Sequence, residues 1–298
     1  MHIGEVEVVK VVEWAGEIAP ARTIVPSPPE LWTDNAGWLA PDHWNPATGG
    51  YRGAVQTWVL RSEGRVILVD TGVGNGRDRP QIPLFDHLAT PFLDRLAEAG
   101  VRPEDVDVVV NTHIHYDHVG WNTERRDGEW VPAFPRATYL IPRPDQVYFD
   151  PRNAHRRPVP RTANDQVRRE GSMLVYADSV APVLGRAQLW EGSHRIDRNL
   201  TLEAAPGHTP GSSVLRVASG TDRAVFVGDL LHSPVQILEP EHSSCFCEDP
   251  RQAAVTRRGI LERAADAGEL VVPAHFAGPG ATEVRRDGGR FAIRRWAG

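Results

Sequence analysis

The sequence predicts an α/β protein in which two β-sheets pack face to face with helices on the outside. Short apolar runs followed by a helical stretch occur twice along the 298 residues, and no linker separates the two halves. Residue types that bind metals follow several of these runs directly. Because a sheet buries its apolar face against another layer, this order of elements favours a single four-layer domain over residues 1–298.

The N-terminal region combines a strand with an irregular arm. Ile3 to Glu13 alternates in the manner of an edge strand, and the Pro-, Trp- and Gly-rich stretch after it predicts an extended arm over about residues 14–53. Trp32, Trp38 and Trp44 are spaced six apart, which fits no single helix face. Their rings need a cover, which is either the chain's own core or a second copy of the chain in a homodimer.

The first half of the chain predicts strands, helices and one inserted loop. The patterns place strands at Ala54–Leu60, Arg65–Asp70 and Val106–Val110, a helix at Asp86–Ala99 that stops at Gly100, a Pro- and Arg-rich inserted loop at about residues 136–165, and a helix near Asn164–Tyr176.

The second half repeats the pattern. Strands are predicted near Arg186–Trp190, Leu200–Ala204, Ser213–Val217 and Ala224–Val227, with a last buried strand at Glu269–Val272. A helix begins at Asp249-Pro250, an N-cap residue followed by proline at the first helical position, and it ends at Gly268.

The decisive segment is H-x-H-x-D-H, which directly follows the strand Val106–Val110. It supplies His113, His115, Asp117 and His118 at the carboxyl end of that strand, where open α/β sheets place their sites. In an extended start, the first two histidines point the same way and can bind one ion. If the chain then coils into a helix, Asp117 and His118 turn toward a second ion. Imidazole and carboxylate without thiolate suit Zn²⁺, and also Mn²⁺ or Fe²⁺.

Three further segments share one pattern, in which a strand is followed by a single ligand residue. His208 lies in P-G-H-T-P-G after Leu200–Ala204, Asp229 follows the apolar run Val225–Val227 in G-D, and His275 follows V-V-P-A. Each has an ordinary explanation on its own, but together with the first motif they predict one metal centre.

In this order the motifs resemble those of the metallo-β-lactamase superfamily of metallohydrolases, over about Val55 to Phe276. The resemblance implies the αβ/βα sandwich fold of that superfamily and a role for each residue. His113, His115 and His208 would hold the first metal; Asp117, His118 and His275 would hold the second; Asp229 would bridge both; and Asp70 would orient a ligand histidine.

Within the superfamily, the sequence is most similar to the lactonase, organophosphorus-hydrolase and esterase-like group. H-V-G-W-N after the metal motif and G-D-L-L-H-S-P around Asp229 favour that group. The true β-lactamases lack a histidine directly after the motif aspartate and have a cysteine where Asp229 stands. The flavodiiron branch typically has glutamate at the position of His115.

Four residues are candidates for the wall of a substrate pocket. His232 lies three residues after Asp229, and Tyr116 lies inside the metal motif. Tyr148 and Phe149, in the inserted loop, offer an apolar wall. Each has a structural alternative: a hydrogen-bonding role for His232, and packing for the aromatic residues.

The predicted function is that of a dinuclear metal-dependent hydrolase acting on a small ester-like substrate, a lactone or a carboxylic ester. A metal-bridging hydroxide would be the nucleophile, and Asp117 would carry a proton to the leaving oxygen. Asp229 would take part by bridging the ions. A phosphotriester or thioester hydrolase is the alternative on the same site, followed by an iron-dependent redox enzyme.

The composition of the chain limits the kinds of partner that are expected. A net charge of −6 argues against nucleic acid and against an anionic membrane surface, so the expected partner is a small-molecule substrate. No apolar run reaches the roughly 18 to 20 residues that cross a bilayer, and no signal peptide is visible. Cys245 and Cys247 are too close for an unstrained disulfide and are expected to be reduced, which favours the cytoplasm.

Overall fold

The computed structural model describes residues 1–297 and divides the chain into two compact units. The terminal unit comprises Met1–Glu7, Trp14–Val55 and the residues from Gly192 on; the central unit comprises Val8–Glu13 and Gln56–Glu191. That the units form a single domain stays a prediction.

The central unit is built on a mixed sheet with a parallel half. Its strands lie in the order β2 (Val6–Pro20), β4 (Gly50–Ser62), β5 (Arg65–Val69), β6 (Val108–Val110), β9 (Thr138–Pro142) and β10 (Ala187–Trp190), and β7 (Thr123–Arg126) and β8 (Glu129–Pro132) form a separate hairpin. β4 begins in the terminal unit, and β2 both begins and ends there. The pairings from β5 to β10 are all parallel, so these strands end at one edge of the sheet.

Three α-helices belong to the central unit: α4 (Phe92–Glu98), α5 (Arg143–Phe149) and α6 (Ala163–Val175). A π-helix, Tyr176–Val180, continues α6. The core of the unit joins residues of β6 and β9, such as Val109 and Ile141, to Phe92 and Leu96 of α4. The run of valines in β6 is buried throughout, as a parallel strand covered on both faces requires.

The terminal unit contains a sheet whose strands follow one another in chain order. They are β11 (Ser193–Arg195), β12 (Leu200–Ala204), β13 (Ser213–Ser219), β14 (Asp222–Gly228), β15 (Leu270–Pro273), β16 (Ala281–Asp287) and β17 (Arg290–Ala297). Its other elements are β1 (His2–Ile3), β3 (Trp44–Asn45), α1 (Ala21–Ile24), α2 (Glu30–Thr33), α3 (Ala36–Leu39), α7 (Val235–Leu238) and α8 (Pro250–Ala267).

Only β14 and β15 pair in parallel in this sheet, because α8 connects them. The ends of α8 agree with the prediction. Asp249 caps the first turn by accepting from the N–H groups of Arg251 and Gln252, and Gly268 ends the helix in the left-handed conformation, with φ of 64°.

Two predicted elements of the central unit are wrong. The helix expected from Asp86 begins only at Phe92, because Pro91 disfavours a helical conformation at Thr90. The segment predicted as an inserted loop contains β9 and α5, and β9 lies between β6 and β10 within the sheet. Its apolar run Tyr139–Ile141 is short, and the surrounding Pro and Arg residues obscured it.

Two predictions on the terminal unit also need correction. The arm is folded rather than extended, since β2 continues to Pro20 and three one-turn helices follow. Trp32 and Trp44 are buried in a core cluster with Leu39 and Val235 of the same unit. Glu269–Val272 is not the last strand, because the hairpin of β16 and β17 follows it.

Among residues 1–297 no helix is long and apolar enough to cross a bilayer. Because two of the three arm tryptophans pack within the chain's own core, they give no support to a dimer contact, and the homodimer stays a prediction.

Candidate metal centre

Asp70 lies at the point where β5 ends, in a backbone conformation that few residues other than glycine adopt. Its φ is 59°, and its N–H donates to the carbonyl oxygen of Val110 in the neighbouring strand. One carboxylate oxygen accepts from the N–H of Thr112 at 2.8 Å, and the other lies 2.8 Å from His118 Nδ1. Strained backbone of this kind is found where a side chain must be aimed at a fixed target.

The metal motif follows β6 as a tight turn, and its second half does not coil into a helix. The N–H of His118 donates to the carbonyl oxygen of His115, and a short 3-10 helix begins only at Gly120. Asp145 of α5, which is fully buried, accepts from the N–H of Ile114 at 2.9 Å. The turn is therefore held from two sides by carboxylates, Asp70 and Asp145.

This turn brings three imidazoles of the central unit together. His113 Nε2 lies 3.0 Å from His115 Nδ1, and the rings of His113 and His118 are 4.0 Å apart. Since Asp70 accepts from His118 Nδ1, the other ring nitrogen of His118 is the one that faces Asp117, at 3.7 Å. Three imidazoles this close, with a carboxylate beside them, form a donor set suited to a borderline cation.

The terminal unit holds a second cluster, centred on Asp229. Nε2 of His208 lies 3.2 Å from one oxygen of this carboxylate, and Nε2 of His275 lies 2.9 Å from the other. Asp229 follows the end of β14, and His275 follows the end of β15. Because β14 and β15 are parallel, their carboxyl ends bring these two residues to the same edge.

The buried guanidinium of Arg257, in α8, fixes the loop after β14. It donates to the carbonyl oxygens of Leu230, at 2.6 Å, and of Pro240. Burial lowers the pKa of Arg257 to about 10, so the side chain keeps its charge at neutral pH.

The orientation of His275 shows that the donor set fits a cation. Its Nδ1 lies 2.8 Å from the carbonyl oxygen of Ala54, which can only accept, so Nδ1 carries the proton. In the neutral ring Nε2 then offers a lone pair, and it is aimed at Asp229, which is also an acceptor. Two acceptors at 2.9 Å need a proton or a cation between or beside them, and a divalent ion would fit this requirement.

His232 is a third histidine against Asp229. Its Nε2 lies 3.2 Å from the same carboxylate oxygen that His208 approaches. The hydroxyl of Tyr51 donates to the backbone carbonyl of His232 at 2.7 Å, which fixes this residue from behind. Burial lowers the pKa of His232, so its ring is neutral at physiological pH.

Sequence reasoning missed Ser244 and Cys247, which lie behind these histidines. Cys247 Sγ lies 3.6 Å from His208 Nδ1, and Ser244 Oγ lies 3.4 Å from His232 Nε2 and 3.6 Å from Cys247 Sγ. Burial raises the pKa of the Cys247 thiol, so it remains protonated. Nothing in the spacing of the two cysteines indicated this contact, because it depends on the loop that leads into α8.

The three aromatic pocket candidates all belong to the central unit. Phe149 is buried and meets the ring of His115 edge-on at 5.7 Å, whereas Tyr148 and Tyr116 are half-buried at the edge of the core. The guanidinium of Arg157 lies over the ring of Tyr148 at 4.7 Å. Phe149 is thus next to a predicted ligand, and the ring of Tyr148 meets that of Phe149 edge-on at 5.1 Å.

Within each unit, then, the structure brings predicted ligands together. In the central unit, ligand atoms of His113 and His115 lie within 4.8 Å of each other, as do those of Asp117 and His118; in the terminal unit the same holds for His208 and Asp229. His275 joins the terminal cluster through Asp229, and Asp70 joins the central one through His118.

The fold and the two clusters are those of an α/β protein with histidine and aspartate side chains grouped at strand ends. Residues 50–275 match the model of the metallo-beta-lactamase superfamily, and the chain belongs to this superfamily. The mixed α/β metallo-β-lactamase fold predicted from the motifs is confirmed.

Individual relatives are distant. A mouse protein described as metallo-beta-lactamase domain-containing protein 1 is 27% identical over 255 residues, which cover 84% of this chain and 71% of that protein. A probable metallo-hydrolase of Methanocaldococcus jannaschii is 43% identical over 44 residues, covering 15% of this chain and 17% of that protein.

Solved structures show the same fold over nearly the whole chain. A dizinc quorum-quenching lactonase with bound product has a TM-score of 0.78 at 19% identity, covering 100% of this chain and 97% of that one. A hydrolase of the beta-lactamase superfamily has a TM-score of 0.79 at 21% identity, covering 98% and 95%. At these identities the likeness concerns the fold.

Proposed function

We propose that the two clusters together bind two divalent metal ions, Zn²⁺ in the first instance, and that the protein hydrolyses a small ester-like substrate, a lactone or a carboxylic ester. The observation that carries the proposal is the pair His275 and Asp229, in which a ring nitrogen with a lone pair faces a carboxylate oxygen at 2.9 Å. Membership of the superfamily supports the metal, and the dizinc lactonase among the structures with this fold supports the substrate class.

The residues would have distinct roles in binding the two ions. His113, His115 and His208 would hold one ion, and Asp117, His118 and His275 the other. Asp229 would bridge them, since imidazoles approach both of its oxygens. Asp70 would keep His118 in the tautomer with its proton on Nδ1, because a carboxylate can only accept there.

Bound divalent ions supply an acidified water and polarise the scissile carbonyl. The chain's own contribution is placement and proton transfer. The Asp117 carboxylate, which is buried and lies in the turn between His115 and His118, would carry the proton to the leaving oxygen. No serine or cysteine nucleophile is required, and the protonated Cys247 thiol is poorly suited to be one.

The test has two parts. Elemental analysis of protein loaded with zinc and freed of excess metal should give close to two ions per chain, and one or none contradicts the dinuclear site. A hydrolysis screen of the loaded protein should then cover lactones, aryl esters, phosphotriesters, thioesters and β-lactams. Turnover confined to phosphotriesters or thioesters would overturn the substrate class and leave the metal site standing.

A further inference from the structure

A buried carboxylate without an assigned role lies in the central unit, on β2. Glu13 is 1% exposed, and its side chain accepts from the N–H of Val73 at 2.6 Å, from Trp121 Nε1 at 2.7 Å and from the N–H of Gly74 at 3.1 Å. Burial raises its pKa, and the hydrogen bonds lower it in part. Thr90 Oγ1 is a fourth donor, at 3.4 Å. A buried carboxylate is destabilising unless it is hydrogen-bonded, so these donors need an explanation.

The three shorter hydrogen bonds come from two segments, each of which follows a residue of the candidate site. Val73 and Gly74 lie in the turn that leaves Asp70, and Trp121 lies three residues after His118. Glu13 therefore links the segment that follows Asp70 to the segment that follows His118.

Backbone hydrogen bonds join the same two segments next to Asp70 and His118. The N–H of Thr71 donates to the carbonyl of His118 at 2.8 Å, and the N–H of Trp121 donates to the carbonyl of Thr71 at 2.8 Å. The fit against Glu13 leaves no room, because a Cβ at Gly72 would lie 2.1 Å from the carboxylate. The relative position of the two segments is thus set by one side chain and a short ladder of backbone bonds.

We propose that Glu13 is a positioning residue of the metal centre: its carboxylate sets the placement of Asp70 against His118 and so the affinity for the ion that His118 helps to bind. The inference rests on the proposed function, since it needs a metal to act on. It differs from a purely structural role, in which Glu13 would stabilise the fold without affecting the metal.

The test compares zinc affinity in folded variants. Glu13→Gln keeps the shape but replaces one acceptor oxygen by a donor that would face N–H groups. We expect the affinity for one of the two zinc ions, measured by competition with a chromophoric chelator, to fall by about 10- to 100-fold. The visible spectrum of the cobalt-substituted protein should change as well, because the ligand field at His118 changes.

A matched control is Asp107→Asn. Asp107 also accepts a backbone N–H in the central unit, that of Val66 at 2.9 Å, but it lies before β6, at the opposite end of the strand from His118. This variant should lose stability without loss of zinc affinity. Equal zinc affinity in Glu13→Gln and the parent, or an equal loss in Asp107→Asn, would overturn the inference.

A second variant covers the case in which Glu13→Gln does not fold. Trp121→Phe removes one donor to the carboxylate and keeps an aromatic ring, although a smaller one, against Phe92. Zinc affinity should therefore fall in the same direction by a smaller factor; no fall would overturn the inference. The parent protein separates the two proposals. Absence of zinc binding in the parent overturns the proposed function and the inference with it, whereas two bound ions and unaffected variants overturn the inference alone.

Discussion

Asp229 is the residue on which the imidazoles of the terminal unit converge. Three ring nitrogens lie within 3.2 Å of its two carboxylate oxygens, and the side chain is only 5% exposed. One negative charge shared by two dications would reduce their repulsion, so in the proposed function this carboxylate matters more for the second ion than any single histidine.

We therefore expect Asp229→Ala to lose the second metal ion and to abolish turnover while the protein stays folded. His232→Ala should keep both ions and alter mainly the handling of substrate, because His232 is not among the ligands that the superfamily resemblance implies. Metal content and hydrolysis rate, measured for both variants on the substrate found in the screen, check this pair. Two ions and a near-normal rate in Asp229→Ala would show that the residue does not bridge the metals.

At the residue scale, the sequence indicated which histidines and aspartates cluster, but not Ser244 and Cys247 behind them. His113, His208, Asp229 and their companions stand in short motifs after strands, and such motifs are visible in one chain. The burial of Glu13 could have been predicted from the sequence. Glu13 lies two residues after Val11 in β2, so both side chains point to the same, buried face of the strand. Cys247 has none, because its contact with His208 depends on a loop whose path no local pattern specifies.

The metal-motif turn and the turn that follows Asp70 pack against each other without spare volume. Gly120, two residues after the last histidine of the metal motif, donates its N–H to the carbonyl of Gly72 at 2.7 Å. A Cβ on Gly120 would lie 1.9 Å from the carbonyl oxygen of Val73. Since both neighbours are backbone, the turn as a whole would have to move to admit a methyl group.

Gly120→Ala should therefore displace the motif turn, reduce zinc content and destabilise the protein by about 1–3 kcal/mol, the usual cost of overpacking. Gly259→Ala is the matched control: it lies exposed in α8, and a Cβ there meets nothing within 4 Å. Removal of a helical glycine should stabilise the protein by up to about 1 kcal/mol. Chemical denaturation measures the free energy of unfolding of both variants, and elemental analysis measures their zinc content. An unchanged zinc content in Gly120→Ala would refute the tight coupling of the two turns.

Helices and strands were predictable where residues that cap or break an element mark its ends. The cap at Asp249 and the glycine at 268 fixed α8, whereas α4 was predicted to start too early because the effect of Pro91 on its predecessor was overlooked. The hairpin of β16 and β17 turns at Gly288-Gly289, a dipeptide typical of hairpin turns, and its arginine-rich strands hid the alternation. β9 depends on its place between two other strands, which only tertiary structure provides.

At the scale of the whole molecule, each of the two compact units carries its own set of candidate ligands. The central unit supplies the H-x-H-x-D-H turn, and the terminal unit supplies His208, Asp229 and His275. In the proposed function both sets bind the same pair of ions. The unfolded chain cannot present these ligands together, so metal binding would stabilise the native state by mass action.

The expected outcome is a melting temperature that depends on zinc. At a free zinc concentration 100 times the dissociation constant, one site stabilises the folded protein by about 2.7 kcal/mol, and chelation removes this contribution. For a chain of this size that corresponds to a rise of several degrees in the melting temperature. Thermal unfolding followed by circular dichroism, with zinc titrated in and then chelated, measures the shift. Asp229→Ala should respond much less than the parent, because only the weakened site remains. A parent protein that melts at the same temperature with zinc and with chelator, or an equal response in Asp229→Ala, would refute the coupling of the proposed metal centre to the stability of the fold.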